Sequence, residues 1–349
     1  MRNKISIMAT TLLLVAAGCP GDLRPPVSQG DHGTSSDGPA VYFDNGPRPD
    51  GWVGGADGSA VGGDAGGKLA CNGDCHDYVL DRILLPTSSA QAKTYGLKKG
   101  GQSYNAFGEL MVLIGSNVSS LNLQQDVDLS VYAGKTLMLV RLKATSITAA
   151  ATARGQTWLG DTMQCCTNTS SVSTCKSQAM SKCFSGSTSL AVANASPKDM
   201  TFSGAISGGK LTLGPAKLIL PLEINGLGKL NLSLIGVTLT ATTSASGLTS
   251  GVLSGAVPNS EMNSKLIPGV AALVDKEYKD AATAQKTKDL LKSLLDTNKD
   301  GTITAAELKA NVLLSNLLAG DVDADGDGNK DFSLGLGFNA VGCVIVGAN

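Results

Sequence analysis

Histidine is nearly absent, with two in 349 residues, and aromatic residues make up only 4% of the chain. The two do not lie together in the sequence, so there is no paired-histidine motif for metal-assisted hydrolysis. No Gly-x-Ser-x-Gly or His-Glu-x-x-His run supplies a nucleophile or a zinc site either. An excess of charge of one sign is also missing, since 28 basic residues meet 29 acidic ones. There is therefore no basic field for nucleic acid and no polybasic patch for anionic lipid. These absences point away from an enzyme and towards a binding or structural protein. The length is enough to bury a real core.

The N-terminal run "MRNKISIMATTLLLVAAGC" has Arg2 and Lys4 as a positive region, an apolar stretch over residues 5–15, and Ala16, Ala17 and Gly18 before Cys19. The apolar stretch is too short to span a bilayer and reads as a signal peptide over residues 1–18. Followed at once by a cysteine, the run resembles the lipobox of bacterial lipoproteins. That resemblance implies lipidation of Cys19 and a membrane partner reached through the lipid. Pro20 in place of aspartate implies the outer membrane or the cell surface. The alternative is an ordinary secretory peptide cut nearby. From 20 to 68, 26 of 49 residues are Gly, Pro or Asp, without hydrophobic periodicity. Such a composition predicts a disordered tether over residues 19–69, spanning about 40 Å as a flexible coil.

Beyond the tether, a single domain is expected over residues 70–349. Short apolar-alternating runs at residues 109–114, 127–132, 136–142, 187–192 and 217–224 read as strands. In "GKLNLSLIGVTLTATT", residues 228–243, Leu230, Leu232 and Leu234 alternate with polar residues. After Gly236 the phase moves by one, to Val237, Leu239 and Ala241. That shift predicts a β-bulge at the glycine. The expected fold is mainly β, an antiparallel sandwich, with helical period only later, at residues 263–279 and 281–295.

An exported chain meets an oxidising compartment, so its cysteines are expected as disulfides. Cys71 is expected to pair with Cys75, and Cys165 and Cys166 each with one of Cys175 and Cys183, leaving Cys343 as a buried thiol. Spacing alone does not fix the connectivity. "CNGDCH", residues 71–76, differs by one residue from the signature of c-type haem attachment. No second histidine in the folded part offers a distal ligand. A zinc site in the cysteine-rich loop would lack any nearby histidine.

The run "DTNKDGTITAAEL" carries the chain's most specific signal. Asp296, Asn298 and Asp300 take loop positions 1, 3 and 5, Gly301 takes 6, and Glu307 takes 12. Thr302 at position 7 would offer its carbonyl, and Thr304 at 9 its side chain or a water. Position 8 is Ile303. The pattern resembles the EF-hand, which implies Ca2+ as the metal, a flanking helix on each side (281–295 and 305–318), and pairing of the Ile303 edge with a neighbouring loop. A second acidic run, residues 321–331, contains Asp321, Asp323, Asp325, Asp327, Gly328 and Asp331. From Asp323 it resembles many extracellular calcium loops. Position 12 in that register is Leu334, so the closing glutamate is missing, and the sequence after it is strand-like. Eight of the 29 acids fall within residues 296–331.

Taken together, these readings predict a cell-envelope lipoprotein with a calcium-stabilised β-rich domain that binds an extracellular glycan or protein. The alternatives are a dockerin-like docking module and a hydrolase using acids such as Glu109 and Glu223. Both glutamates are expected on strands.

Overall fold

The computed structural model describes residues 69–117, 121–224 and 228–348. The signal peptide, Cys19 and the tether up to residue 68 lie outside the described residues. In chain order the first elements are β1 (Cys75–Leu84), α1 (Ser89–Tyr95), the hairpin β2 (Leu97–Lys99) and β3 (Gln102–Tyr104), α2 (Ala106–Asn117) and α3 (Leu123–Tyr132). Then come β4 (Met138–Ala144), β5 (Ala150–Leu159), α4 (Val172–Lys182), β6 (Ser189–Ala191), β7 (Thr201–Ser207), β8 (Lys210–Ile224), β9 (Gly228–Ser244) and β10 (Gly247–Val257). In the helical segment that follows, α5 (Asn259–Glu261) passes through a π turn (Met262–Leu266) into α6 (Ile267–Lys279). It continues as α7 (Gln285–Leu295), α8 (Ala305–Ala310) and α9 (Val312–Leu318). β11 (Phe332–Gly342) and β12 (Val344–Val346) end the chain of elements.

The fold is mainly β and its main sheet is antiparallel, as alternation predicts. The sheet closes on itself in the order β1-β11-β10-β9-β8-β7-β5-β4, a barrel and not two facing sheets. Alternation of buried and exposed residues is the same in a sandwich and in a barrel, so the sequence pattern does not separate them. What decides is β1, which pairs with β4 on one side and with β11 on the other. Closure leaves no free edge in this sheet. The bulge expected at Gly236 is present: the register of β9 shifts there against both β8 and β10, and Gly236 takes φ 60°.

Two segments read as strands are helices. In α2 the buried Phe107, Leu110, Met111 and Ile114 fall at i, i+3, i+4 and i+7, a helical stripe. Asn105 accepts from the Gly108 N–H at its start. In α3 Asn122 caps the Gln125 N–H, and Leu123, Val127 and Val131 repeat every four residues on the buried side. The alternating windows were too short to reveal either period. Glu109 therefore lies on a helix, where it accepts from the Ser89 hydroxyl, while Glu223 lies on β8 and pairs with Lys135 at 3.1 Å. Each hydrolase candidate is already engaged. The helix expected over 305–318 is broken at Asn311, whose side chain accepts from Leu314 N–H and starts α9.

The disulfides are Cys71–Cys75, Cys165–Cys183 and Cys166–Cys175. With Cys71 and Cys75 joined, neither thiol is left for a haem thioether. Cys343 is a buried free thiol, pushed up to about 12 by burial and by the Asp77 carboxylate. Among the described residues no helix is long and apolar enough to cross a membrane.

Candidate metal centre

Both acidic runs lie between α7 and β11, and their backbones fold alike. Position 4 takes positive φ in each, Lys299 at 62° and Gly326 at 83°, and so does position 6, Gly301 at 81° and Gly328 at 86°. A lysine in this region is uncommon, and it marks how strongly the first loop demands the conformation.

The hydrogen bonds correspond as well. Position 1 accepts from the position 6 N–H: Asp296 Oδ2 from Gly301 at 3.2 Å, and Asp323 Oδ2 from Gly328 at 3.3 Å. Position 3 accepts from position 5: Asn298 Oδ1 from Asp300, and Asp325 Oδ1 from Asp327. Position 5 accepts from position 7: Asp300 Oδ1 from Thr302, and Asp327 Oδ1 from Asn329. These turns fold the side chains of positions 1, 3 and 5 of each loop back onto the loop's own backbone N–H groups. The Asn329 amide also holds the Asp327 carboxyl below the usual carboxylate range.

The loops differ in how they close. Glu307 Oε1 accepts from the N–H groups of Thr297 and Asn298, and Oε2 from the N–H and hydroxyl of Thr304. The Thr304 hydroxyl accepts in turn from Glu307 N–H, completing a capping box that starts α8. The Thr304 backbone N–H is the main reason the Glu307 carboxyl lies below its usual range. In the second loop Asp331 Oδ2 accepts from Ala324 N–H, the same position 2 donor that Glu307 takes from Thr297. Asp331, at position 9, thus fills the closing place that Leu334 cannot, since Leu334 is buried in β11. Burial raises the Asp331 carboxyl, and the neighbouring Asp325 and Asp327 charges push the same way.

Asp323, Asp325 and Asp327 bring carboxylate oxygens within 4.8 Å of one another, a group that could hold a metal ion. It is the one such group of acids among the described residues; Asp296, Asp300 and Glu307 do not converge in this way. The first loop carries a different sign of a cation. Asp296 is 2% exposed, and its Oδ1 is buried with no hydrogen-bond partner. An orphaned carboxylate oxygen costs about 1–3 kcal/mol or more, and a cation bound at position 1 of the loop would satisfy it.

Asp321 is placed apart from the group of Asp323, Asp325 and Asp327. Its two oxygens accept from the N–H and hydroxyl of Ser333, the second residue of β11. The Ser333 hydroxyl accepts in turn from Ala106 N–H at the head of α2. The second loop is also tied at its base by a bridge between Val322 and Asp331. A side chain at Gly236 would come within 3.0 Å of the Ala324 carbonyl, so the loop rests on the bulge of β9. Lys99, from the β2–β3 hairpin, donates to the Asp323 carbonyl and lies 4.0 Å from its carboxylate.

Ser333, Lys99 and the closing role of Asp331 were not marked by the EF-hand pattern, whose spacing stops at the loop. Two grooves flank the region. One of about 350 Å³ is lined by Tyr278, Lys288, Lys292 and Gly301, and one of about 260 Å³ by Tyr104, Glu109, Asn316 and Asp321. In comparisons with protein families, with curated proteins and with solved structures, nothing matches this chain.

Proposed function

We propose that the chain is a cell-envelope lipoprotein, anchored through Cys19, whose β domain is stabilised by calcium and binds a glycan or protein outside the cell. The observation that carries the calcium reading is the correspondence of the two loops at positions 1, 3, 5 and 6, with Asp296 Oδ1 left orphaned in one and three carboxylates gathered in the other. Oxygen ligands without nitrogen or sulfur suit a hard cation. In the first loop Asp296, Asn298, Asp300, Thr302, Thr304 and Glu307 would hold it, with Glu307 leaving its capping box to do so. In the second, Asp323, Asp325, Asp327 and Asp331 would. Bound there, calcium supplies positive charge that offsets the crowded carboxylates.

A constitutive structural role is favoured over a switch because extracellular modules of this kind have Kd values around 10⁻⁴ to 10⁻³ M and work in comparable calcium. A dockerin-like role finds less support. The second loop is continuous with barrel strand β11 and does not repeat the helix of the first.

Titration calorimetry should show two calcium sites. Glu307→Gln should weaken one by tenfold or more, Asp323→Ala should do the same to the other, and each should leave its neighbour intact. No calcium-dependent heat in the unaltered protein would end the calcium reading. The anchor is tested separately: Cys19→Ser should move the protein from the membrane fraction to the soluble one. Unchanged membrane association would remove the lipoprotein assignment.

A further inference from the structure

An EF-hand-type loop exposes a short backbone edge at position 8, and the resemblance implies that a neighbouring loop covers it. In this protein the neighbour is not another loop. Ile303 N–H donates to Asp275 Oδ1 at 2.8 Å, from the body of α6. Among the described residues, the isolated bridges are Gly160 to Val192 and Val322 to Asp331, and neither joins Ile303 to the second loop. The side chain of Ile303 is 2% exposed and belongs to the main core. The N–H of the edge and its apolar side chain are therefore both accommodated within one chain.

Asp275 is itself fixed. Its Oδ2 accepts from Lys279 Nζ at 2.8 Å, one helical turn on, and the same ammonium reaches the Thr302 hydroxyl at 3.3 Å. Asp275, Lys279, Thr302 and Ile303 make a closed strap between α6 and positions 7 and 8 of the loop. The carboxylate also adds a negative charge beside the site without being one of its ligands.

We infer that Asp275 is a positioning residue that replaces the partner loop, so that the first calcium loop is preformed and works singly. The inference rests on the calcium reading above. It has three consequences. The loop binds one ion without cooperativity towards the second loop. It requires no second copy of the chain to complete it. Its affinity depends on a residue more than twenty positions before its first ligand.

The test uses the full chain, with calcium itself as the probe. In Asp275→Ala, calorimetric titration should show the first site weakened by about tenfold and the second unchanged. Hydrogen exchange at the Ile303 amide, measured in chelator, should speed up at the same time. Asp275→Asn keeps an oxygen acceptor but loses the charge, and should fall between the two. Lys279→Met leaves the Ile303 bond in place while removing a nearby positive charge, and should bind calcium at least as tightly as the unaltered protein. Normal affinity in Asp275→Ala, with only a lower melting temperature in chelator, would show a merely structural residue and overturn the inference. Failure of the unaltered protein to bind calcium at the first loop would instead overturn the calcium reading, and this inference with it.

Discussion

Removal of calcium is expected to lower the melting temperature of the whole barrel by about 6–12 °C, and not merely to fray the helices between β10 and β11. The magnitude follows from linkage. At a tenfold excess of calcium over Kd each proposed site would contribute about 1.4 kcal/mol, so two would contribute about 3 kcal/mol. For a domain of this size each kcal/mol moves the melting temperature by roughly 2–4 °C.

The direction of propagation follows from the contacts of the second loop. Its base is tied to β11 by Asp321 on Ser333, and through the Ser333 hydroxyl to the head of α2. Its middle rests on the Gly236 bulge of β9. With calcium removed, Asp323, Asp325 and Asp327 repel across less than 4.8 Å, and the strain falls on the strands that the loop touches. β11 pairs with both β1 and β10, so loosening it opens the closed sheet where its first and last strands in chain order meet. Differential scanning calorimetry in millimolar calcium and in chelator checks this. A single transition that shifts as a unit is expected. A trace that does not move, or a small early transition with the main one unmoved, would show the loops to be unfilled or uncoupled from the barrel.

The parts of this molecule that were legible in the sequence are those whose physics is local. The Gly236 bulge announced itself because a one-residue slip flips every side chain after it. The disulfide set was legible because the N-terminal run reads as an export signal and an exported chain is expected to be oxidised, although the pairing of Cys165 with Cys183 needed the fold. Position by position, the turns of the first loop from Asp296 to Glu307 could be read because the place of each oxygen-bearing side chain follows from one tight backbone path. Barrel closure was not legible, since β1 meets β11 across most of the chain and both strands alternate as they would in a sandwich. The helices α2 and α3 were missed because six-residue windows inside them are nearly all apolar or mixed, and only the longer spacing from Phe107 to Ile114 shows the helical period. Asp275 lies outside any loop motif and acts through space, so no spacing rule points to it.

The largest effect of a single side chain is expected at Asn105, which is 6% exposed and uses every hydrogen-bonding capacity of its amide. Nδ2 donates to the carbonyls of Ala92 and Gly335, and Oδ1 accepts from the N–H groups of Gly108 and Gly335. One residue thus caps α2, holds α1 and grips β11 by both polar groups of a single peptide position. The space for this grip exists because position 335 is glycine: a Cβ there would come within 2.2 Å of the Tyr95 carbonyl. Asn105→Ala leaves four buried backbone groups without partners, each worth about 1–3 kcal/mol, so a loss of about 4–6 kcal/mol is expected after partial relaxation. That is a large share of the roughly 5–15 kcal/mol that holds a domain folded. Asn105→Asp should be no milder, because it keeps the acceptor but turns a negative charge towards two carbonyl oxygens. Urea unfolding checks both variants; a loss under about 1 kcal/mol would mean that water replaces the amide. Gly335 lies two residues from Ser333, so a loosened β11 should also weaken calcium at the second loop and leave the first loop's affinity unchanged. By reciprocity, calcium should then rescue stability less in Asn105→Ala than in the unaltered protein.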